Sequence, residues 1–209
     1  PEFVVLVVAA LTRFWRLGYH SFWFDEIVSL DWASYPPAHI WEIGFRLVQE
    51  KHPPGFYLTL HFWQQLLAAF GLAQNDVALR SLGSLFGVIT VLGVLLLATR
   101  LSGRATGLLA ALFVALSPAL VGYSQELRMF QPAATAIVWA TYFLINAQAR
   151  LSIMSNENKD GRPQTADRNS PLAIRPSQFA PRNSQFASRL PHWIGLILCL
   201  TYALYSYLF

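Results

Sequence analysis

Four stretches of the chain, each 17 to 20 residues long, contain no Asp, Glu, Lys or Arg: 81–99, 105–122, 130–149 and 193–209. A helix needs about 20 apolar residues to cross the hydrocarbon core of a bilayer, where a charged side chain is costly. Charged residues make up 12% of the 209 residues, against about 25% in a typical soluble domain. We therefore predict an all-α polytopic bundle of transmembrane helices.

The two ends of the chain extend this pattern. Residues 3–17 predict a shortened first span, and residues 192–209 predict the truncated start of a later span. Because both termini fall inside apolar runs, we expect a piece of a larger polytopic protein. The single cysteine, Cys199, excludes an intrachain disulfide and a cysteine metal cluster.

Residues 18–80 are too polar to span a membrane and too aromatic to form a free linker. They predict a loop with two juxtamembrane helices at the interface, from about Trp23 to Ser34 and from about Ala38 to Lys51. The segment 53–71 is short and contains one histidine and two glutamines. It favours a helix that packs at the interface or re-enters over a complete span.

Residues 150–191 differ in kind from the rest of the chain. They contain seven basic residues against three acidic ones, five prolines, and a heptapeptide repeat that begins "RNSPLAI". The prolines and the lack of paired apolar positions exclude a coiled coil. This composition predicts a disordered, low-complexity insertion.

Basic residues predict the orientation of the loops, because Lys and Arg are enriched on the cytoplasmic side. Residues 150–191 and the connector 100–104 are therefore expected inside, and residues 18–80 and 123–129 outside. If residues 53–71 formed a full span, the acids of the first loop would instead lie inside. In the favoured arrangement, the acidic residues of both loops share the external face.

Two adjacent acids, Asp25 and Glu26, follow three aromatic residues in the motif "FWFDE". On a helix, neighbouring side chains point about 100° apart, so the two cannot both act on one reacting atom. A carboxylate desolvated by aromatic rings suits a general base. Alternatively, both acids cap the start of an interfacial helix, where negative charge is favoured.

Several motifs resemble one family when they are taken in order. These are "FWFDE", "KHPPGFYLTLHFW", the stretch from "ALRSLGSLFG" to "YSQELRMF", and the terminal "LYSYLF". Together they resemble the GT-C membrane glycosyltransferases, in the superfamily of protein O-mannosyltransferases and aminoarabinose transferases, of bacterial type. The motif around Glu126 departs from the family pattern at Leu127 and Phe130, where a small residue and a tyrosine are usual.

The resemblance implies inverting transfer of a sugar from a polyprenyl-phosphate donor to an acceptor hydroxyl on the non-cytoplasmic face. It implies Asp25 as the catalytic base, with Glu26 as a second catalytic carboxylate that orients the loop or pairs with an arginine. A phosphate leaving group calls for cations. The predicted substrate-binding residues are Lys51, His52, Arg80, Glu126 and Arg128. The alternative for Lys51 and Arg80 is membrane anchoring. The alternative for His52 is an ordinary loop histidine, and that for Glu126 with Arg128 is a surface charge pair.

The expected partners are the lipid-linked sugar, a protein, lipid or glycan acceptor, and membrane lipids, without nucleic acid. No cofactor is required, although the two adjacent carboxylates could hold a divalent cation. The expected location is the bacterial cytoplasmic membrane. The competing interpretations are a transporter and a lipid-binding membrane subunit without catalysis. A transporter would place polar residues at mid-bilayer in broken helices.

Overall fold

A computed structural model describes residues 1–46, 52–160 and 190–207. These residues form nine α-helices and no β-strand, which confirms the all-α prediction. The helices are α1 Glu2–Phe14, α2 Phe24–Ser34, α3 Pro37–Arg46, α4 Gly55–Ala69, α5 Asp76–Ser102, α6 Arg104–Leu116, α7 Pro118–Gln125, α8 Phe130–Asp160 and α9 Leu190–Tyr207.

Local sequence sets the ends of the longest apolar helix, α5. The side chain of Asn75 accepts a hydrogen bond from the backbone N–H of Ala78 at 2.9 Å, which caps the first turn. The helix ends at Gly103, whose φ of 89° is readily adopted only by glycine. Because the next helix starts at Arg104, α5 and α6 form a tight hairpin.

The predicted span 105–122 is broken rather than continuous. Helices α6 and α7 meet at Ser117 with a bend of 59°. Pro118 causes the break, since it has no N–H to donate and forces the preceding residue out of the helical conformation. The carbonyls of the last turn of α6 therefore need other hydrogen-bond donors.

Arg13 supplies donors at this break. Its side chain is fully buried. Its Nη1 donates to the carbonyl of Ala115 at 3.3 Å, and its Nη2 donates to that of Val114 at 3.2 Å. Gly87 on α5 leaves room for the guanidinium, because an added Cβ would lie 2.5 Å from Arg13 Nε. Arg13 thus joins α1, α5 and the broken helix.

Two apolar clusters hold the helices together. One lies between α1, α5 and α6, and it is formed by Val5, Ala9, Val91, Leu95, Ala111 and Ala115. The other joins α2, α3 and α4 to the first turns of α5 and to the loop before α8. It includes Ala33, Ile40, Phe56, Tyr57, Leu60, Leu67, Leu79, Leu82, Leu127 and Met129. The second cluster fixes helices α2, α3 and α4 on the end of the bundle.

Helix α8 extends beyond its predicted end at residue 149 and reaches Asp160. The sequence has no glycine or proline between residues 149 and 160, and Gly161 and Pro163 follow. The first part of the predicted disordered insertion is therefore helical. The rest of it, residues 161–189, lies outside the described residues.

By length and composition, α5 is the one described helix that could cross a membrane, or there are two if α6 and α7 count as one bent span. Helix α1 is short at 13 residues, and polar side chains such as Gln131 and Asn146 lower the hydropathy of α8. Helix α4 lies within the segment 53–71, for which the sequence did not favour a full span. It has 15 residues, which is short for crossing a membrane. The polytopic arrangement stays a prediction.

The two ends of α5 carry different groups. Arg80 lies near its start, beside the two acidic loops, whereas Arg100 lies in its last turn. At that second end Arg104 forms a bidentate ion pair with Glu2, with oxygen–nitrogen distances of 2.5 and 3.0 Å. A helix of this length spans about 40 Å. The acidic loops and the basic connector therefore lie at opposite ends of the bundle.

Candidate active site

The first loop and the loop before α8 meet at the start of α5. Asp25 and Glu26 lie in the first turn of α2, Arg80 lies on α5, and Glu126 and Arg128 lie in the loop between α7 and α8. An ion pair between Arg128 and Asp25, which are 103 residues apart in the chain, joins the two loops. A second ion pair, between Arg80 and Glu26, which are 54 residues apart, joins α5 to α2. The predicted acids and arginines of both loops are thus brought together.

Glu26 is buried, with 1% of its side chain exposed, and its two oxygens accept four hydrogen bonds. Two come from Arg80, whose Nε and Nη2 lie 3.0 and 2.6 Å from Oε1 and Oε2. The backbone N–H groups of Leu127 and Trp23 donate the other two, at 2.9 and 3.3 Å. All of the carboxylate's usual acceptor positions are therefore occupied.

Arg80 is equally engaged. Besides Glu26, its guanidinium donates to the carbonyl oxygens of Leu17, His20 and Ser21. A guanidinium has five N–H donors, and these contacts use five. The geometry favours a structural clasp for Glu26 and Arg80, rather than proton acceptance by the first and substrate binding by the second.

Asp25 points away from the clasp and pairs with Arg128. The Arg128 Nη1 donates to Oδ2 of Asp25. The side chain of Arg128 is 13% exposed and that of Asp25 is 40% exposed. The guanidinium also lies 5.5 Å from the Trp23 ring and 5.1 Å from the Phe130 ring, where cation–π attraction holds it. Asp25 is therefore oriented by a fixed cation and remains accessible.

A small cavity of about 140 Å³ opens beside Asp25 and Arg128. His52, which the sequence placed before the rigid Pro53-Pro54 pair, lines the same cavity, as does Tyr57. The other lining residues are Phe24, Val28, Ser29 and Met129. Lys51, which the sequence also predicted as a substrate-binding residue, lies outside the described residues.

Glu126 lies on a second, larger cavity of about 390 Å³. Among the described residues its carboxylate forms no hydrogen bond or ion pair. Burial and the negative charge of Glu26 raise the pKa of Glu126 above its ordinary value, and Arg128 and Arg80 oppose this only in part. Glu126 thus does not bridge the loops as Arg128 does.

Substituting Glu126 with glutamine is expected to raise the melting temperature at neutral pH. A raised native pKa means that the folded protein binds more protons than the unfolded chain, so stability is lost as pH rises through the native pKa. The gain should therefore shrink as pH falls below the ordinary glutamate pKa, where both states are protonated. Thermal melts of both proteins at several pH values measure it. A pH-independent gain would contradict this origin.

Residues 51–154 match the family model of dolichyl-phosphate-mannose-protein mannosyltransferase. This part of the chain resembles those mannosyltransferases. The match covers 104 of the 209 residues, counting from 51 through 154. No curated protein and no solved structure matches the chain.

The match confirms the resemblance to GT-C mannosyltransferases that the motifs indicated, and it supports a glycosyltransferase of that general, membrane-integral type. The matched stretch contains His52, Arg80, Glu126 and Arg128. It begins after Asp25 and Glu26, which contact the matched residues through the ion pairs with Arg128 and Arg80 and through the backbone N–H of Leu127.

Both carboxylates that the sequence suggested for a divalent cation already have partners in this structure. Glu26 already accepts four N–H donors, and Asp25 is paired with Arg128. Within residues 1–46, 52–160 and 190–207, no group of three or more His, Cys, Asp or Glu side chains could hold a metal ion.

Sequence reasoning missed three residues of the larger cavity: Arg16, His20 and Gln125. Gln125 Nε2 donates to the carbonyls of Thr12, Arg13 and Trp15, at 3.3, 3.1 and 3.0 Å. The only sequence signal was the basic character of "RFWRLGYH", which also suits a membrane anchor.

Proposed function

We propose that this protein transfers a sugar from a polyprenyl-phosphate donor to an acceptor hydroxyl on the non-cytoplasmic side of a membrane. The observation that carries the proposal is the pairing of Asp25 with Arg128 beside His52, at one end of the helices. An accessible carboxylate beside a partly buried cation suits proton removal from a hydroxyl next to a leaving phosphate. The resemblance to the mannosyltransferases supports the same reaction.

The reaction we propose is a single displacement. Asp25 removes the proton from the acceptor hydroxyl as its oxygen bonds to the anomeric carbon of the donor sugar. The bond between that carbon and the phosphate oxygen breaks, and the phosphate leaves with the electron pair. Because attack comes from the opposite side to the phosphate, the anomeric configuration inverts.

Arg128 has a specific part in this proposal. Before the reaction it pairs with the ionised Asp25. As Asp25 becomes protonated its negative charge disappears, while negative charge develops on the leaving phosphate. The guanidinium can then stabilise the phosphate, and His52 on the same cavity is a further donor. Glu26 and Arg80 hold the two loops in register throughout.

The proposed external location rests on charge. Arg100 and Arg104 lie at the end of the bundle opposite Asp25. Since basic connectors are retained in the cytoplasm, Asp25 is expected outside, where an acceptor exported across the membrane could reach it. The lipid-linked donor reaches the same level within the bilayer.

Transfer by the full-length protein tests the proposal. Proteoliposomes are incubated with radiolabelled polyprenyl-phosphate mannose and with protein, lipid and glycan acceptors in turn. We expect label on one acceptor class, and a product whose anomeric configuration is inverted relative to the donor. Retention of configuration would exclude direct displacement. No transfer to any acceptor, from mannosyl or other polyprenyl-phosphate sugars, by folded protein would contradict the proposed function.

A further inference from the structure

The last turn of α1 needs hydrogen-bond donors from elsewhere in the protein. After Phe14 the backbone of Trp15 is extended, and Arg16 has a φ of 57°, in the left-handed region that ends many helices. The chain therefore leaves the helix axis at this point. The carbonyls of the last turn cannot accept from the N–H groups that a longer helix would have provided. Buried carbonyls of this kind are nearly always paired with another donor.

Gln125, the last residue of α7, supplies such donors. Its Nε2 lies 3.3 Å from the carbonyl oxygen of Thr12 and 3.1 Å from that of Arg13. It also lies 3.0 Å from the carbonyl oxygen of Trp15, which is 110 residues away in the chain. One side-chain amide thus caps the end of α1, and it joins this end to the start of the loop between α7 and α8.

The segment that follows α1 is held in the same way by a second side chain. Arg80 on α5 donates to three carbonyl oxygens between residues 17 and 21. The same guanidinium pairs with Glu26 in the first turn of α2. Gln125 and Arg80 therefore fix successive parts of the backbone that leads to Asp25.

The position of Arg128 depends on the same amide. Arg128 lies three residues after Gln125, and three residues of extended chain span at most about 11 Å. Between them, the backbone N–H of Leu127 donates to Glu26 at 2.9 Å. Contacts at Gln125 and at Leu127 hold the loop at two points, so it cannot pivot about either one.

We propose that Gln125 is a positioning residue for the transfer reaction, because it ties the loop that carries Arg128 to the segment that leads to Asp25. With the amide in place, the guanidinium of Arg128 meets the carboxylate of Asp25. Without it, the loop pivots about its remaining contacts and Arg128 loses its fixed direction. This inference rests on the proposed function for the reaction. It goes further by assigning a role to a residue outside the cavity at Asp25.

A double-mutant cycle between Asp25 and Arg128 tests the inference without requiring transfer. The midpoints of chemical unfolding are measured for Asp25→Asn, Arg128→Gln and the double variant of the full-length protein in mixed micelles. The double variant should lose less than the two single losses added together, since both substitutions remove the same ion pair. In the background of Gln125→Met, which keeps the shape of the side chain without its N–H donors, the losses should become additive.

Gln125→Met should also lower the turnover number about 10- to 100-fold, the loss that a displacement of about 1 Å can cause. The KM for the donor should change little, because Arg128 acts on charge that develops during the reaction. Added to Arg128→Gln, the same substitution should have little further effect on turnover. If Gln125→Met does not fold, Gln125→Asn is the second variant. Its amide is on a shorter side chain, so the coupling should again be lost.

Thr12→Val is the matched control. It removes the hydrogen bond from Thr12 Oγ1 to the carbonyl of Ala115, at 3.1 Å, which ties α1 to α6. The backbone carbonyls that Gln125 contacts stay in place. Thr12→Val should therefore lower the melting temperature, while the coupling between Asp25 and Arg128 and the turnover number stay as in the unaltered protein.

The outcomes separate this inference from the proposed function. Coupling that persists in Gln125→Met, that is lost equally in Thr12→Val, or that is absent from the unaltered protein would overturn the inference. Lost coupling with normal turnover would overturn it as well. Lost coupling in Gln125→Met, together with no transfer from any donor by the unaltered protein, would support the positioning of the pair and contradict the enzymatic proposal.

Discussion

Replacing Asp25 with asparagine should lower the turnover number for sugar transfer by about 10²- to 10⁴-fold, the usual contribution of a general base. Asparagine has nearly the same shape but cannot accept the proton of the acceptor hydroxyl. It also cannot hold Arg128 as an ion-pair partner before the reaction. The measurement is the initial rate of transfer at saturating polyprenyl-phosphate sugar, with a thermal melt to show that the variant is folded.

Asp31→Asn is the matched control for this experiment. Asp31 lies on the same helix, α2, and is exposed. Its substitution changes the net charge by the same amount without touching the cavity at Asp25, so it should leave turnover within about twofold, since surface changes have small effects. If Asp25→Asn turned over as fast as Asp31→Asn, Asp25 would not be the base.

Replacing Arg80 with methionine should destabilise the protein by about 3–5 kcal/mol, the loss typical when one partner of a buried ion pair is removed. Glu26 would keep its two backbone N–H donors but lose the charge of the Arg80 guanidinium, in a site where 1% of its side chain is exposed. The carbonyls of Leu17, His20 and Ser21 would also lose their donor. Chemical unfolding in mixed micelles measures the change.

The control for this prediction is an exposed ion pair. Arg46 and Glu42 on α3 pair at 3.0 Å with more than half of each side chain exposed, so Glu42→Gln should cost no more than about 0.5 kcal/mol. A double variant, Arg80→Met with Glu26→Leu, should recover much of the loss because no buried charge remains. An Arg80→Met variant no less stable than Glu42→Gln would show that the clasp contributes little.

The same contacts connect stability with the proposed chemistry. Glu26 and Arg80 fix the start of α2 against α5, and Leu127 donates to the same carboxylate from the second loop. Arg128 lies one residue beyond Leu127, and Asp25 lies one residue before Glu26. Gly83 permits this approach, because a Cβ there would lie 2.7 Å from the backbone oxygen of Ser124. The buried pair therefore sets the position of the accessible one.

The pattern of apolar residues and the positions of proline and glycine predicted much of the helical framework. The uncharged run 81–99 lies within α5, and α2 ends at Ser34, as the sequence predicted. The predictions went wrong where a local signal was given too little weight. Pro118 breaks the run 105–122, and the absence of glycine and proline after residue 149 lets α8 continue to Asp160. Both signals are local, so they are present in the sequence itself.

The roles within the site could not be predicted in the same way. The sequence offered Asp25 and Glu26 as neighbours of similar chemistry, and Arg80 and Arg128 as two equivalent cations. Which acid is buried depends on the direction in which each side chain points from the first turn of α2. It also depends on the position of Arg80 on α5, which pairs with Glu26.

By itself, then, the amino-acid sequence determined that the chain is helical and apolar, and that its acids and basic residues are segregated into a few short segments. Hydrophobic pattern, proline and glycine act over a few residues, and they can be recognised one segment at a time. Only the tertiary structure decided that Glu26 pairs with Arg80 while Asp25 pairs with Arg128. Those contacts span 54 and 103 residues, and they depend on how separate helices pack against one another.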